Sequence, residues 1–167
     1  MKTTTKILNL ISILVLCIFF SSNAYSGTVN DADALKDYGQ GKIVFDINLK
    51  EGKALTLYLQ VIKQTHADLE KQEIKPDIVL AFRGLAVTLV QKGSEKDSGE
   101  QQKLSEQINT QINQLQSMGV KMEVCSVATG LFQVPNDRIL RGMKIVGNTF
   151  VSLMGYQHQG YAIIPIM

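Results

Sequence analysis

Short β-branched runs alternate with helical stretches along most of this chain, and that alternation limits the folds open to it. Residues 42–49 (KIVFDINL) are rich in β-branched and aromatic side chains and read as a strand. Residues 53–72 follow as a helix, with Leu55, Tyr58, Leu59, Ile62 and Leu69 at helical spacing as its apolar stripe. Pro76 closes the turn, and residues 77–82 (DIVLAF) form a second strand broken by Arg83-Gly84. A helical turn at 85–90 and a solvated loop at 91–98 lead to the clearest helix, 100–118. Its stripe is Leu104, Ile108, Ile112 and Leu115, and Gly119 is its stop. Strands at 120–125, 143–146 and 161–166 complete the pattern. Between them lie a mixed connection at 126–140, where Asn136-Asp137 caps a short helix, and a short helix at 149–155. Pro165 places the last strand at an edge or ends it there. Such alternation predicts an α/β layered domain with a mostly parallel sheet.

The first residues read differently. Lys2 and Lys6 precede an apolar run over 7–20, and Ala24-Tyr25-Ser26 fits a small-x-small cleavage site. This predicts a secretory signal peptide over 1–26 and a single mature domain over 27–167, periplasmic or secreted. The apolar run falls short of the roughly 20 residues a spanning helix needs, so no stable membrane span is expected after cleavage. Cys17 is not read as a lipid-attachment site, because Leu16 is bulky and Ile18-Phe19-Phe20 continues the apolar run. Residues 27–41 form a polar lead-in with a turn around 31–38. Without Lys2 and Lys6, the 17 Lys and Arg fall to 15, matching the 15 Asp and Glu. A neutral chain with no basic run lacks the electrostatic footprint of a nucleic-acid binder. It also has little charge repulsion to oppose self-association.

Cleavage would leave Cys125 as the one cysteine. A lone thiol in an oxidising compartment is a candidate for reactive chemistry or an intermolecular bridge. The bland alternative is a small buried hydrophobe. Strand alternation puts Cys125 on the face of Lys121 and Glu123, opposite Val120, Met122 and Val124. A helix starting directly after it would bring backbone N–H groups to the thiolate. The carboxyl ends of parallel strands, where ligand sites lie, carry Asn48, Arg83-Gly84, Cys125-Ser126 and Gly147-Asn148. Asn48, Arg83, Ser126 and Asn148 are therefore candidate binding residues around Cys125. Arg83 reads either as the cation that lowers the thiol pKa or as a surface arginine paired with a carboxylate. Turn chemistry alone accounts for Asn48 and Gly147.

His66 falls on the first helix's apolar stripe and reads as a core histidine with one satisfied nitrogen. His158, in an exposed-looking loop, is a candidate acid or base if the fold brings it to Cys125. Met118, Met122 and Cys125 are soft copper-type ligands, but Met122 points away from Cys125, and core packing explains the methionines better. Gly39-Gln40-Gly41 precedes the first strand, so it is not a dinucleotide fingerprint. No phosphate loop, zinc-spaced cluster or GxSxG elbow occurs, and nothing calls for a metal or organic cofactor.

These residues together resemble the DsrE/DsrF-like family of sulfur-relay proteins, which includes TusD-type subunits. The marks are the opening strand, the long first helix, the Phe82-Arg83-Gly84 break and Gly119-Val120 leading into Cys125. The stretch from Val146-Gly147-Asn148-Thr149-Phe150 to Tyr161-Ala162-Ile163-Ile164-Pro165 is similar to an exported branch of that family. The resemblance implies a three-layer α/β/α fold with a five-stranded sheet and assembly into oligomers, here a homo-oligomer. It also implies a persulfide carried on Cys125 and exchanged with a donor or acceptor protein. Relay members commonly show Arg-Gly soon after the cysteine, whereas here Arg141-Gly142 comes much later. The alternative is a non-catalytic ligand-binding or assembly module that keeps the fold.

Overall fold

The structure, a computed structural model, describes residues 29–94 and 97–167. The expected signal peptide lies outside the described residues. Two units are distinguished, Met1–Ala34 and Leu35–Met167. In the first, residues 29–34 form a turn in which the Ala34 N–H donates to the Asp31 carbonyl at 2.9 Å. The second contains all the regular elements described below.

Five strands build one sheet: β1 (Gln40–Ile47), β2 (Lys75–Phe82), β3 (Lys121–Cys125), β4 (Lys144–Val146) and β5 (Ala162–Ile166). Their order is β4-β3-β2-β1-β5, and every pairing is parallel. Parallel neighbours need crossovers, which α1 (Gly52–Lys71), α2 (Gly99–Ser117), α3 (Ser126–Leu131) and α4 (Thr149–His158) supply, with 3-10 turns at Gly84–Leu89 and Asn136–Arg138. Among the described residues no helix is long and apolar enough to cross a membrane.

The main core lies on the face carrying α1, α2 and α3. Phe45, Ile47, Leu80 and Phe82 from the sheet pack there with Leu55, Leu59, Ile62, Ile108, Ile112 and Leu115. Each such aliphatic side chain, fully buried, contributes about 1.5–3 kcal/mol. The predicted stripes therefore face the sheet, except that Tyr58 turns outward and joins Leu57 and Val61 as exposed apolar groups. A capping box starts α2, with the Ser98 hydroxyl accepting from Gln101 N–H and the Gln101 amide oxygen accepting from Ser98 N–H. Such a cap is worth about 1 kcal/mol.

The opposite face carries α4 and a smaller cluster of Val44, Val79, Ala81, Leu153 and Tyr161. The result is an α/β/α layering, as expected. Strands β1 and β2 begin two residues earlier than the sequence suggests and β3, β4 and β5 one residue later, so that Pro76 sits inside β2, paired with Gly41 of β1. A proline is tolerated near a strand's start, where few ladder bonds have yet formed. Pro165 lies on β5, an edge strand, also as expected.

Candidate functional site

Strand β3 ends at Cys125, which is also the N-cap of α3. The chain leaves β3 toward the main-core face, where Ala128 is buried. After β4 it leaves toward the other face, as α4. These diverging exits open a crevice at the carboxyl ends of β3 and β4, the kind of switch point at which open α/β sheets place ligands.

Cys125 is a free, buried cysteine, 5% exposed. Its Sγ accepts the backbone N–H of Thr149, the first residue of α4, at 3.5 Å. Burial pushes the thiol pKa up, but the Thr149 N–H and hydroxyl and the backbone N–H groups of Ala128 and Val127 outweigh it and bring it below the ordinary value. Thr149 Oγ1 is itself buried and makes no hydrogen bond of full geometry. The thiol thus sits between the starts of two helices, one from each side of the sheet.

A cavity of about 290 Å³ opens at the sulfur, lined by Arg83, Gly84, Cys125, Val127, Ala128, Leu131, Phe132, Asn148, Thr149 and Phe150. A larger one, about 440 Å³, lies between Gln91, Leu104 and Arg138. It holds no thiol, and its Arg138 is engaged by the Lys92 and Gly93 carbonyls.

Two of the four candidate binding residues, Arg83 and Asn148, line the Cys125 cavity. Asn148 caps α4, its Oδ1 accepting from Phe150 N–H at 3.0 Å. Arg83 is held by Asp46, Nε to Oδ1 at 2.6 Å and Nη2 to Oδ2 at 2.9 Å, and its guanidinium lies 5.2 Å from the Phe150 ring centre. Asp46 keeps Arg83 firmly protonated, and the nearby Cys125 thiolate adds to that in spite of partial burial. The donors that lower the thiol's own pKa are mainly backbone N–H groups.

Ser126 and Asn48 are absent from the cavity lining. The Ser126 hydroxyl donates to the Gly147 carbonyl at 3.1 Å, tying the end of β4 to the start of α3. Asn48 stands against Gly84, whose φ of +54° lies in the left-handed region, and a side chain at Gly84 would collide with Asn48 Oδ1.

His158 ends α4, whose first residue touches Cys125. Nine residues of helical rise separate them by roughly 13 Å, so no Cys/His pair forms. His66 is buried, with Nε2 at 3.2 Å from the Met118 carbonyl and Nδ1 without a hydrogen bond. Met122 is buried in the main core. Among the described residues no group of three or more His, Cys, Asp or Glu is placed to hold a metal ion.

Asp46 and Glu123 complete the site's surroundings. Both are buried, and both face α4. The sequence signal for Asp46 is a lone acid inside an apolar strand, which at a buried position requires a partner.

Residues 42–166 match the model of the DsrE/DsrF-like family. The chain belongs to the DsrE/DsrF-like family. No curated protein matches it significantly. Solved structures share its α/β fold. A protein of unknown function, MTH1491 from Methanobacterium thermoautotrophicum, superposes with a TM-score of 0.62 at 20% identity, over 76% of this chain and 100% of that one. The ychN protein from E. coli gives 0.57 at 19% identity, over 76% and 100%.

Proposed function

We propose that this DsrE/DsrF-like protein is an exported sulfur carrier, TusD-like in its chemistry, in which Cys125 accepts and hands on a sulfane sulfur. The observation that supports it is the Cys125 thiol, held below its ordinary pKa by N–H donors and opening on a cavity. A thiolate there attacks the outer sulfur of a persulfide, R–S–SH. The Sγ–S bond forms, the donor's S–S bond breaks, and R–S⁻ leaves with the bonding pair. The product is Cys125–S–SH, and no net oxidation occurs. Its transfer to an acceptor thiolate is the same step in reverse. Thr149 N–H steadies the thiolate before attack and again when the sulfur departs.

The test is mass spectrometry of the mature protein after exposure to a low-molecular-weight alkyl persulfide. One added sulfur on Cys125, absent from Cys125→Ser, supports the reading, and no addition refutes it. An N-terminus at Gly27 in exported protein supports secretion to the periplasm or beyond, whereas one at Met1 refutes cleavage.

A second reading is a non-catalytic module that binds or assembles through this face. Exposed Leu131 and Phe150 on the cavity wall, with Val151 and Met154 also exposed on α4, favour it. On either reading we propose a homo-oligomer whose contacts do not need Cys125. A monomer by light scattering at micromolar concentration refutes that.

A further inference from the structure

Arg83 and Cys125 are the two ionisable side chains lining the cavity, among the described residues. Arg83 would normally make such a site an anion receptor. Here two of its nitrogens are committed to Asp46, and Nη2 also lies 3.9 Å from Met167 Sδ. The pair is well shielded, with the Arg83 side chain 17% and the Asp46 side chain 10% exposed. Its formal charge is zero, and its field falls away faster than that of a lone cation.

The remaining wall is mostly apolar: Val127, Ala128, Leu131, Phe132 and Phe150. The Asn148 carboxamide oxygen is spent on capping α4. Thr149 Oγ1, buried beside the sulfur, adds a polar group to the wall but no charge. An anion entering this cavity sheds its hydration and finds no free cation. To gain one it must break a shielded ion pair.

We propose that the Cys125 cavity admits uncharged sulfur donors and discriminates against anions such as thiosulfate, and that Asp46 sets this preference by neutralising Arg83. The inference rests on the carrier reading above. In that step the electrophile is the protonated persulfide, itself uncharged, whereas thiosulfate brings two negative charges. Asp46 acts through Arg83 and is a positioning residue.

The experiment compares two alkylating reagents, uncharged iodoacetamide and anionic iodoacetate. In both, an Sγ–C bond forms as the C–I bond breaks and iodide leaves with the electron pair. The thiolate fraction cancels in the ratio of rates at one pH. For the wild-type protein the iodoacetamide-to-iodoacetate ratio is expected to exceed that of free cysteine by about tenfold. Asp46→Asn frees Arg83 and should lower the ratio by about fivefold. The double variant Asp46→Asn/Arg83→Met removes both charges and should keep the wild-type ratio within about twofold. A wild-type ratio equal to that of free cysteine, or a folded Asp46→Asn protein with an unchanged ratio, overturns the proposal. If Asp46→Asn does not fold, the double variant decides, since a changed ratio there overturns it equally. Selectivity as expected with no sulfur loaded from the alkyl persulfide sinks the carrier reading and leaves the charge preference standing. A thiol silent to both reagents overturns both.

Discussion

The Tyr156 phenol donates a 2.8 Å hydrogen bond to Glu123 Oε1, and so pins the later part of α4 to the strand that ends in Cys125. Glu123 Oε2 is buried with no hydrogen-bond partner, so among the described residues this bond is the carboxylate's one hydrogen bond. Burial and the bond to Glu123 push the Tyr156 pKa far up, so the phenol stays a donor over the working range. Tyr156→Phe should cost about 1–3 kcal/mol, the penalty for leaving a buried acceptor unsatisfied. Thermal melting checks the loss. Thiol titration should show a raised Cys125 pKa, because a loosened α4 no longer holds Thr149 N–H on the sulfur.

Thr149 offers a direct test of that donor. It is the first residue of α4, where proline is tolerated because the N–H makes no helix bond. Asn148 before it is extended, at φ −148° and ψ 117°, as a residue preceding proline must be. Thr149→Pro should therefore keep the helix and delete both Thr149 contributions to the thiolate. Burial is then opposed by the Ala128 and Val127 N–H groups alone, so the thiol pKa should rise and alkylation at neutral pH should slow. A variant that is folded and alkylates at the wild-type rate refutes the role.

The pH dependence of the thiol follows from the same contacts. Its folded pKa lies below the ordinary value, so alkylation should reach half its maximum at a lower pH than that of the unfolded protein's thiol. The sign for stability is that of a depressed acid. The contribution is complete above the unfolded pKa and is lost as pH falls through the folded one. Denaturation of wild type and Cys125→Ser across that window should diverge upward with pH, and the serine variant should lack the rise. Parallel curves would contradict it.

Asp77 governs the acid side of the α4 face. Burial raises its carboxyl, but the Lys121 ammonium at 2.8 Å and the Tyr161 hydroxyl at 2.8 Å outweigh it and hold the pKa low. Its contribution to stability is present above about pH 3.9 and disappears as pH falls through the lowered folded value. Lys121→Met should raise that carboxyl and start acid unfolding at higher pH, read by circular dichroism. An unchanged acid midpoint would contradict it.

The strands and helices were legible because their apolar patterns are local: an unbroken apolar run in DIVLAF, as a strand buried on both faces requires, and the helical spacing of Ile108, Ile112 and Leu115. Alternation also placed Glu123 and Cys125 together on the α4 face, where Tyr156 and Thr149 meet them. What stayed hidden depends on long-range pairing. Asp46 and Arg83 lie 37 residues apart and meet because β1 and β2 run side by side in register. Nothing in the helical period of residues 149–158 tells which end reaches β3, so His158 remained a candidate until α4 was seen to start at the thiol. Asn48 and Ser126 sit at strand ends as foreseen, but one packs on Gly84 and the other ties β4 to α3.

Pro165 bears on how this molecule meets its own kind. The Ile166 carbonyl accepts from Asn48 N–H, so Ile166 turns its backbone toward β1 and Pro165, one residue back, turns outward. The missing N–H of Pro165 therefore falls on the free rim of β5, where an incoming strand would look for a donor. The other rim is β4, only three residues long. Short strands and rim prolines are both devices that stop sheets from growing edge to edge. Among the described residues, both rims of the sheet thus oppose edge-to-edge growth, one by its proline and the other by its shortness.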